Sequence, residues 1–215
     1  MDNMESRIPE ERKNSSEPVA DKKPVTTKSS IKKAILAYLH DFVFWLAGIL
    51  LIFTLLFRVV VVSGPSMKMT LLNGDYILLL SNIFYNDPEY GDIVVASKET
   101  YKDGEPIIKR VIATEGQEVD IDFANGVVYV DGVALDEPYT NTPTNLYEQT
   151  EFPQTVPEGC VFVMGDNRNN SLDSRSSEIG FIDCREILGR AIFILFPGAD
   201  EDTKIRQFDR IGALS

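Results

Sequence analysis

One uncharged apolar run dominates the hydropathy pattern of this chain. It covers residues 42–57 and is apolar on every side of a helix, whereas a core helix would be amphipathic. A membrane-spanning helix needs about 20 apolar residues, and the apolar stretches 34–39 and 59–62 lengthen the run enough. A cleaved signal peptide would start nearer the N-terminus and end in small residues, but this run ends at Arg58. We therefore predict a single uncleaved transmembrane anchor helix over residues 31–60.

The segment before the run is polar. Residues 1–30 are rich in Ser, Pro, Lys and Glu and hold too few large apolar side chains to offset chain entropy, so we predict a disordered tail. Five lysines precede the run closely, and few basic residues follow it: Lys22, Lys23, Lys28, Lys32 and Lys33. Positive charge stays on the cytoplasmic side of a membrane. This predicts a cytoplasmic tail and an exported body, residues 61–215.

Beyond the run, the pattern is typical of short strands. Predicted strands lie at 76–80, 93–97, 119–122, 127–130, 160–164 and 191–196. Asn125-Gly126 and Asp131-Gly132 flank the fourth of these strands and favour tight hairpin turns. No stretch after residue 62 has a long helical period. The predicted fold is therefore mainly β, an antiparallel sheet or barrel preceded by the one transmembrane helix.

Composition excludes several classes of function. The net charge is −12, and a nucleic-acid-binding protein would need a basic face, so we predict no nucleic-acid partner. The charge is uneven, because residues 1–41 hold eight basic and seven acidic side chains while the body is strongly acidic. Cys160 and Cys184 match no zinc spacing, and His40 is the one histidine, so no metal site is expected. The two cysteines could form a disulfide or remain free thiols.

Ser66 lies just beyond the apolar run and is a candidate nucleophile. His40 lies on the other side of the run, so the base for a serine would have to be a carboxylate or a neutral lysine. In a strand through Lys109, the neighbours on its own face are Ile107 and Val111, and apolar surroundings favour a neutral amine. The alternative is that this face is exposed and Arg110 points inward.

A polar segment, residues 164–175, follows the strand at 160–164. Its charged residues can form charge-assisted pairs that rigidify a loop: Asp166, Arg168, Asp173 and Arg175. Its hydroxyls, Ser171 and Ser174, could orient a neutral amine. A solvated polar loop is the alternative interpretation of such a composition.

Taken in order, these motifs resemble the type I signal peptidases, also called leader peptidases, over roughly residues 35–197. The motifs are Ser66-Met67-x-x-Thr70-Leu71, Gly91-Asp92-Ile93-Val94, Lys109-Arg110-Val111-Ile112, Asn125-Gly126 with Glu137-Pro138-Tyr139, and Gly165-Asp166-Asn167-Arg168-x-Asn170-Ser171-x-Asp173-Ser174-Arg175. The compact body and single span are similar to the Gram-positive branch of that family.

The resemblance implies a serine endopeptidase that needs no cofactor or metal. Ser66 would be the nucleophile, Lys109 the general base, and Ser171 the serine that orients the lysine. Asp173 would be a structural acid, paired with Arg175. The implied fold is an antiparallel β core with a shallow apolar groove, where an extended substrate adds as a strand. The implied partners are secreted preproteins with small residues before the cleavage site (Ala-x-Ala type), and the lipid bilayer.

Two positions depart from the family pattern. Met69 stands where the family usually has proline, so we expect changed local rigidity and retained chemistry. Gly64 stands where some members have a hydroxyl that donates to the oxyanion, which leaves the backbone N–H of Ser66 as the matching donor. Asp166 and Arg168 would support the site.

Three other functions remain open from the sequence. One is a membrane-tethered structural β domain, which would leave the order of the three polar motifs unexplained. A self-cleaving repressor with a serine and a lysine is disfavoured by the predicted span. A catalytically idle, signal-peptidase-like factor in pilus or surface-protein assembly would be expected to lose Ser66 or Lys109, and both are present.

Overall fold

The computed structural model of the chain describes residues 28–148, 150–200 and 203–214. Most of the predicted disordered tail, residues 1–27, lies outside these ranges. The chain divides into two units after Ala47, and that boundary falls within the first helix. Each unit is described by itself.

The helix α1 (Lys28–Leu56) is the long apolar element expected from the sequence. Its segment Ile31–Leu56 is long and apolar enough to cross a membrane. Its apolar side chains are exposed along nearly their whole length. Such a surface is typical of a helix that faces lipid.

The helix ends four residues before the end predicted for the anchor. The next residues form the strand β1 (Phe57–Val61), in which Val59 pairs with Leu78 and Val61 with Tyr76. A run of β-branched valines is restricted in a helix and packs well in a strand, which explains the early end. Arg58 therefore lies on a strand.

The remaining elements are strands and, within the described residues, three short 3₁₀ turns. After β1 the strands are β2 (Tyr76–Ser81), β3 (Ile93–Ala96), β4 (Ile107–Thr114), β5 (Glu118–Asp122), β6 (Val127–Val130), β7 (Val133–Ala134), β8 (Gln154–Thr155), β9 (Cys160–Met164), β10 (Ile182–Asp183), β11 (Ile187–Phe196) and β12 (Gly212–Ala213). The predicted mainly-β, antiparallel fold is confirmed.

Two antiparallel sheets make up the body. The larger has the order β1-β2-β11-β3-β4-β9-β10, with β12 added to β11, and the smaller has the order β7-β6-β5-β8. Strand β11 is the longest and pairs with β2, β3 and β12. Strand β1 lies at one edge of the larger sheet, and β4 pairs with both β3 and β9.

Three apolar clusters hold the sheets together. One packs β1 and β2 against β11 and includes Met67 and Leu71 from the segment after β1. A second joins β4 and β9 to the smaller sheet, with Phe162 fully buried at its centre. The third packs β3, β4 and β9 around Ile179 and Ile182. The cores therefore fix β4 from both faces.

The two predicted hairpin turns differ in length. Asp131 and Gly132 form a two-residue turn between Val130 and Val133, and both have positive φ, 52° and 74°. The turn at Asn125-Gly126 is longer, since residues 123–126 separate β5 from β6.

Both cysteines are free thiols. Cys160 packs against the cluster around Phe162, whereas Cys184 packs against the cluster around Ile179 and Ile182. The disulfide that the sequence left open is therefore not formed in this structure.

Candidate active site

Ser66 begins a tight turn, and four residues separate it from the end of β1. The backbone N–H of Lys68 donates to the carbonyl of Pro65 at 2.9 Å, and that of Leu71 donates to Met67 at 2.8 Å. Met67 and Leu71 are buried in the core cluster, so they anchor the turn from below. Ser66 itself is half-buried.

Lys109 approaches Ser66 from β4. Its Nζ lies 2.9 Å from Oγ of Ser66, within hydrogen-bond distance. The side chain is 5% exposed, so the alternative of an exposed strand face at Lys109 is wrong. Burial lowers the pKa of the Lys109 ammonium to about 8. A large fraction of the amine is therefore neutral at mildly alkaline pH, as a general base requires.

Asp173 and its partners form a buried hydrogen-bonded cluster beside Ser66 and Lys109. Arg175 donates to Oδ1 and Oδ2 of Asp173, both at 2.8 Å, and Gly165 donates its N–H at 2.9 Å. Burial opposes the charge of Asp173, but the hydrogen bonds from Arg175 lower the pKa of this carboxyl. Oγ of Ser171 also donates to Asp173, at 2.8 Å. The Ser171 oxygen therefore keeps its lone pairs for a further donor.

The other two charged residues of the polar segment pair with distant strands and loops. Asp166 accepts from Nε and Nη2 of Arg110 at 2.9 and 2.8 Å. Arg168 donates to both oxygens of Glu137 at 2.7 and 2.5 Å. The aromatic ring of Tyr139 lies 4.0 Å from the Arg110 guanidinium. The segment is thus a packed part of the core, and a solvated loop is the wrong interpretation.

Gly165 allows the polar segment to lie against the serine turn. A Cβ at this position would lie 2.2 Å from Oγ of Ser171 and 2.6 Å from the carbonyl oxygen of Ser66. Any other residue would therefore separate Ser66 from Ser171. Asn167 strengthens the same contact, because its N–H donates to the Ser66 carbonyl at 2.9 Å.

Gly64 has a φ of 90°, and its N–H donates to Asn73 at 3.2 Å.

A cavity of about 660 Å³ opens beside these residues. Ser66, Lys109 and Ser171 line it, together with apolar residues of β1 and β4 and of two loops: Val60, Val61, Ile107, Ile108, Leu146 and Leu172. In the described ranges, no three His, Cys, Asp or Glu side chains are close enough together to hold a metal ion. The arrangement offers a hydroxyl, an amine and an apolar surface in one cleft.

The sequence patterns had assigned no role to three residues of this region. Glu137 belonged to a family motif, but its pairing with Arg168 was not predicted. Glu148 lines the cavity, and no motif marked it. Arg210 donates to the fully buried Asp75 at 3.0 and 2.7 Å and to the carbonyl of Thr70 at 3.0 Å, which ties the end of the chain to the serine turn.

Comparison with known proteins agrees with the motifs. Residues 35–196 match the family described as signal peptidase, peptidase S26. A probable signal peptidase I-1 of Synechocystis is 40% identical over 146 residues, which are 64% of this chain and 70% of that protein. Signal peptidase I S of Bacillus subtilis is 33% identical over 177 residues, 78% of this chain and 92% of that protein.

A solved structure also matches. The crystal structure of a signal peptidase I from Enterococcus faecalis is 33% identical, covers 48% of this chain and 96% of that chain, and has a TM-score of 0.40. The family match extends over most of the chain and includes each motif residue from Ser66 to Arg175. With the resemblance confirmed on this extent, the chain belongs to the signal peptidase family of serine peptidases, peptidase S26.

Proposed function

We propose that this chain is a membrane-anchored endopeptidase that removes signal peptides from exported preproteins, with Ser66 as nucleophile and Lys109 as general base. The observation that carries the proposal is the 2.9 Å distance between Lys109 Nζ and Ser66 Oγ at the wall of an apolar cavity. The low pKa of the Lys109 ammonium supports it, because the neutral amine can take the hydroxyl proton.

The reaction has two halves. In the first, the neutral amine of Lys109 takes the Ser66 proton, and Oγ attacks the carbonyl carbon of the scissile peptide bond. The bond to nitrogen breaks, and the new amino terminus of the mature protein leaves with the proton from Lys109. In the second half, Lys109 takes a proton from water, and the hydroxide hydrolyses the acyl-enzyme ester. As the ester bond breaks, the Lys109 ammonium returns that proton to Oγ, so Ser66 and Lys109 are both regenerated.

The cavity suits an extended peptide with small side chains. Strand β1 is at the edge of the larger sheet, so its free backbone groups can pair with a substrate strand. The valines of β1 and Ile107 and Ile108 of β4 give the cleft apolar walls. Ser171, held by Asp173, is positioned to orient Lys109. We propose cleavage after small residues at −1 and −3, as in an Ala-x-Ala site.

The anchor helix would hold the catalytic residues near the membrane surface. Helix α1 would span the bilayer with the lysine-rich tail in the cytoplasm and residues 61–215 outside. Ser66 follows the end of α1 by ten residues. The nucleophile would then act near the membrane surface, where a signal peptide presents its cleavage site.

The test is cleavage of a purified preprotein with an Ala-x-Ala site by the full-length chain in detergent micelles. Wild-type protein is expected to release the mature protein, and Ser66→Ala is expected to abolish the reaction because the nucleophile is gone. The matched control is Ser63→Ala, since Ser63 lines the same cavity but is exposed and outside the dyad. Ser63→Ala should cleave at the wild-type rate.

Two outcomes would contradict the proposal. Cleavage by Ser66→Ala at the wild-type rate would exclude Ser66 as the nucleophile. A folded wild-type protein that leaves the preprotein intact would favour the idle assembly factor.

A further inference from the structure

The cavity beside the dyad holds another buried ionisable group, the carboxyl of Glu148. The Glu148 side chain is 12% exposed, and its Oε2 is buried without a hydrogen-bond partner among the described residues. Its Oε1 lies 4.0 Å from a guanidinium nitrogen of Arg175, which is too long for a hydrogen bond. The backbone N–H of Asp173 donates a hydrogen bond to the carboxyl, but the unpaired buried oxygen is costly, so its presence at a reactive site calls for a functional explanation.

Arg175 does not neutralise Glu148, because Arg175 is already engaged. Its Nε and Nη2 each donate to Asp173 at 2.8 Å, and Nη2 also donates to the carbonyl of Arg168 at 2.7 Å. The charge of Arg175 is therefore balanced by the fully buried Asp173. Glu148 adds a carboxylate to a pair that is already neutral.

The carboxylates that act on Lys109 are thus not equivalent. Asp173, Glu148 and Asp166 each raise the pKa of the Lys109 ammonium, whereas burial and Arg175 lower it. Asp173 is paired with Arg175. Asp166 is paired with Arg110. Glu148 is the member of this group whose charge no arginine contacts at hydrogen-bond distance.

We propose that Glu148 is a positioning residue of the dyad, whose ionised carboxylate favours the proton on Lys109 and so raises the pH at which Lys109 becomes the neutral base. The inference rests on the proposed function of Ser66 and Lys109. It adds a group that acts through Lys109 and requires no contact with the reacting atoms.

The direction of the effect follows from charge. Burial raises the pKa of Glu148 to about 7, below the value of about 8 for Lys109. As the pH rises, Glu148 therefore ionises before Lys109 loses its proton. The ionised carboxylate then stabilises the ammonium and delays the appearance of the neutral base. An uncharged residue at position 148 lets Lys109 become neutral at lower pH.

A second acidic residue of the same cavity provides the matched control. Glu105 also lines the cavity, but its side chain is 58% exposed and lies 3.4 Å from Lys102. Solvent and Lys102 screen its charge. Glu105→Gln therefore removes a carboxylate from the cavity wall without changing the field at Lys109.

The test compares kcat/KM between pH 6 and 9 for the full-length wild type, Glu148→Gln and Glu105→Gln, with the preprotein as substrate. The acid limb of Glu148→Gln is expected to move toward acid by about half a pH unit, because the wild-type Glu148 is only partly ionised where Lys109 begins to lose its proton. The difference in kcat/KM is expected between about pH 7 and 8, and the two proteins should agree at pH 6, since the wild-type Glu148 is itself largely protonated there. Glu105→Gln should keep the acid limb at the wild-type pH whatever its absolute kcat/KM, and Glu148→Asp, which keeps a carboxylate, should lie nearer to wild type than Glu148→Gln.

A second measurement is independent of cleavage. Cyanate reacts with neutral amines, so mass spectrometry of the peptide that contains Lys109 gives the rate of carbamylation against pH. Glu148→Gln should shift this profile in the same direction as the acid limb. If the folding midpoint of Glu148→Gln falls, Glu148→Ala provides the same comparison with a smaller side chain.

The outcomes separate the two proposals. Superimposable carbamylation profiles for wild type and Glu148→Gln would overturn the role of Glu148 and leave the dyad intact. A wild type that modifies at Lys109 with the expected profile but cleaves no preprotein would overturn the proposed function, while the effect of Glu148 on Lys109 would stand.

Discussion

Strand β4 carries two consecutive basic residues that lie on opposite faces. One contacts a hydroxyl, and the other is paired with a carboxylate. Lys109 is 5% exposed and meets the hydroxyl of Ser66. Arg110 is 2% exposed and is bound by both oxygens of Asp166 and by the carbonyl of Gly91. Successive side chains of a strand point to opposite faces, so one step along the chain separates the two environments.

The difference shows what burial does to a cation with and without a contacting carboxylate. Without one, desolvation favours loss of the proton, and the pKa of Lys109 falls. With a bidentate partner, the charge stays, and a guanidinium cannot be deprotonated in a protein. The lysine face of β4 is therefore suited to proton transfer. The arginine face is suited to holding the serine turn, because Asp166 also accepts from Oγ1 of Thr70.

Replacing Lys109 by Met should give the largest effect, and the effect should be on activity. If Lys109 is the general base, as proposed, its loss lowers kcat/KM by about 100- to 10,000-fold. The free energy of unfolding should not fall, since an apolar side chain of similar length replaces a buried amine. Cleavage assays and urea unfolding on the same preparations measure both. Lys102→Met, at an exposed lysine of the same cavity, is the control and should change neither.

A Lys109→Met variant that unfolds in far less urea than wild type would contradict this separation. It would mean that the lysine face, too, is mainly structural.

Replacing Asp166 by Ala should give a large effect on stability. The change leaves the Arg110 guanidinium buried without its carboxylate, and breaking a buried pair costs about 3–5 kcal/mol. The free energy of unfolding in urea measures the loss. Glu105→Ala is the matched control, because Glu105 pairs with Lys102 at the surface and should leave the unfolding midpoint nearly unchanged. Equal urea-unfolding midpoints for the two variants would show that the Arg110 face of β4 contributes no more to stability than a surface ion pair.

Local patterns predicted much of the fold. The strand predicted at 160–164 is β9, and Asp131-Gly132 forms the expected turn, because alternation and turn chemistry are encoded by adjacent residues. The ends of longer elements were less accurate. Strand β11 starts at Ile187, four residues before the predicted start at 191, and a two-residue strand such as β7 was missed. Those ends depend on pairing with strands distant in sequence.

The candidate site shows the same limit. Order along the chain was enough to mark Ser66 and Lys109. The four charges of the polar segment looked able to pair with one another, but only Asp173 and Arg175 do so. The partner of Asp166 is 56 residues away, and that of Arg168 is 31 residues away. Glu148 had no signal at all, since nothing in one sequence distinguishes a buried carboxylate from the other acidic residues.

The serine turn connects the two faces of β4, and its backbone provides the smallest predicted effect. Ser66, on the lysine side, and Thr70, on the arginine side, are separated by residues that include Met69. Met69 has a φ of 93°, and its side chain is 64% exposed. Proline, which the family usually has here, is fixed near −65°. The backbone at Met69 therefore has a conformation that proline cannot adopt, and this explains why proline is absent from this position.

Glycine is the residue that tolerates this φ without a steric cost. Met69→Gly should stabilise the chain by about 1 kcal/mol. A left-handed conformation costs other residues about 1–2 kcal/mol, and the larger conformational entropy that glycine loses on folding offsets part of this difference. Met69→Ala keeps the Cβ and removes only an exposed side chain, so it should match wild type in thermal unfolding. Met69→Pro cannot keep the turn, so it should lower both the unfolding midpoint and kcat/KM. A proline variant with wild-type activity would show that the Ser66–Lys109 distance does not depend on this backbone angle.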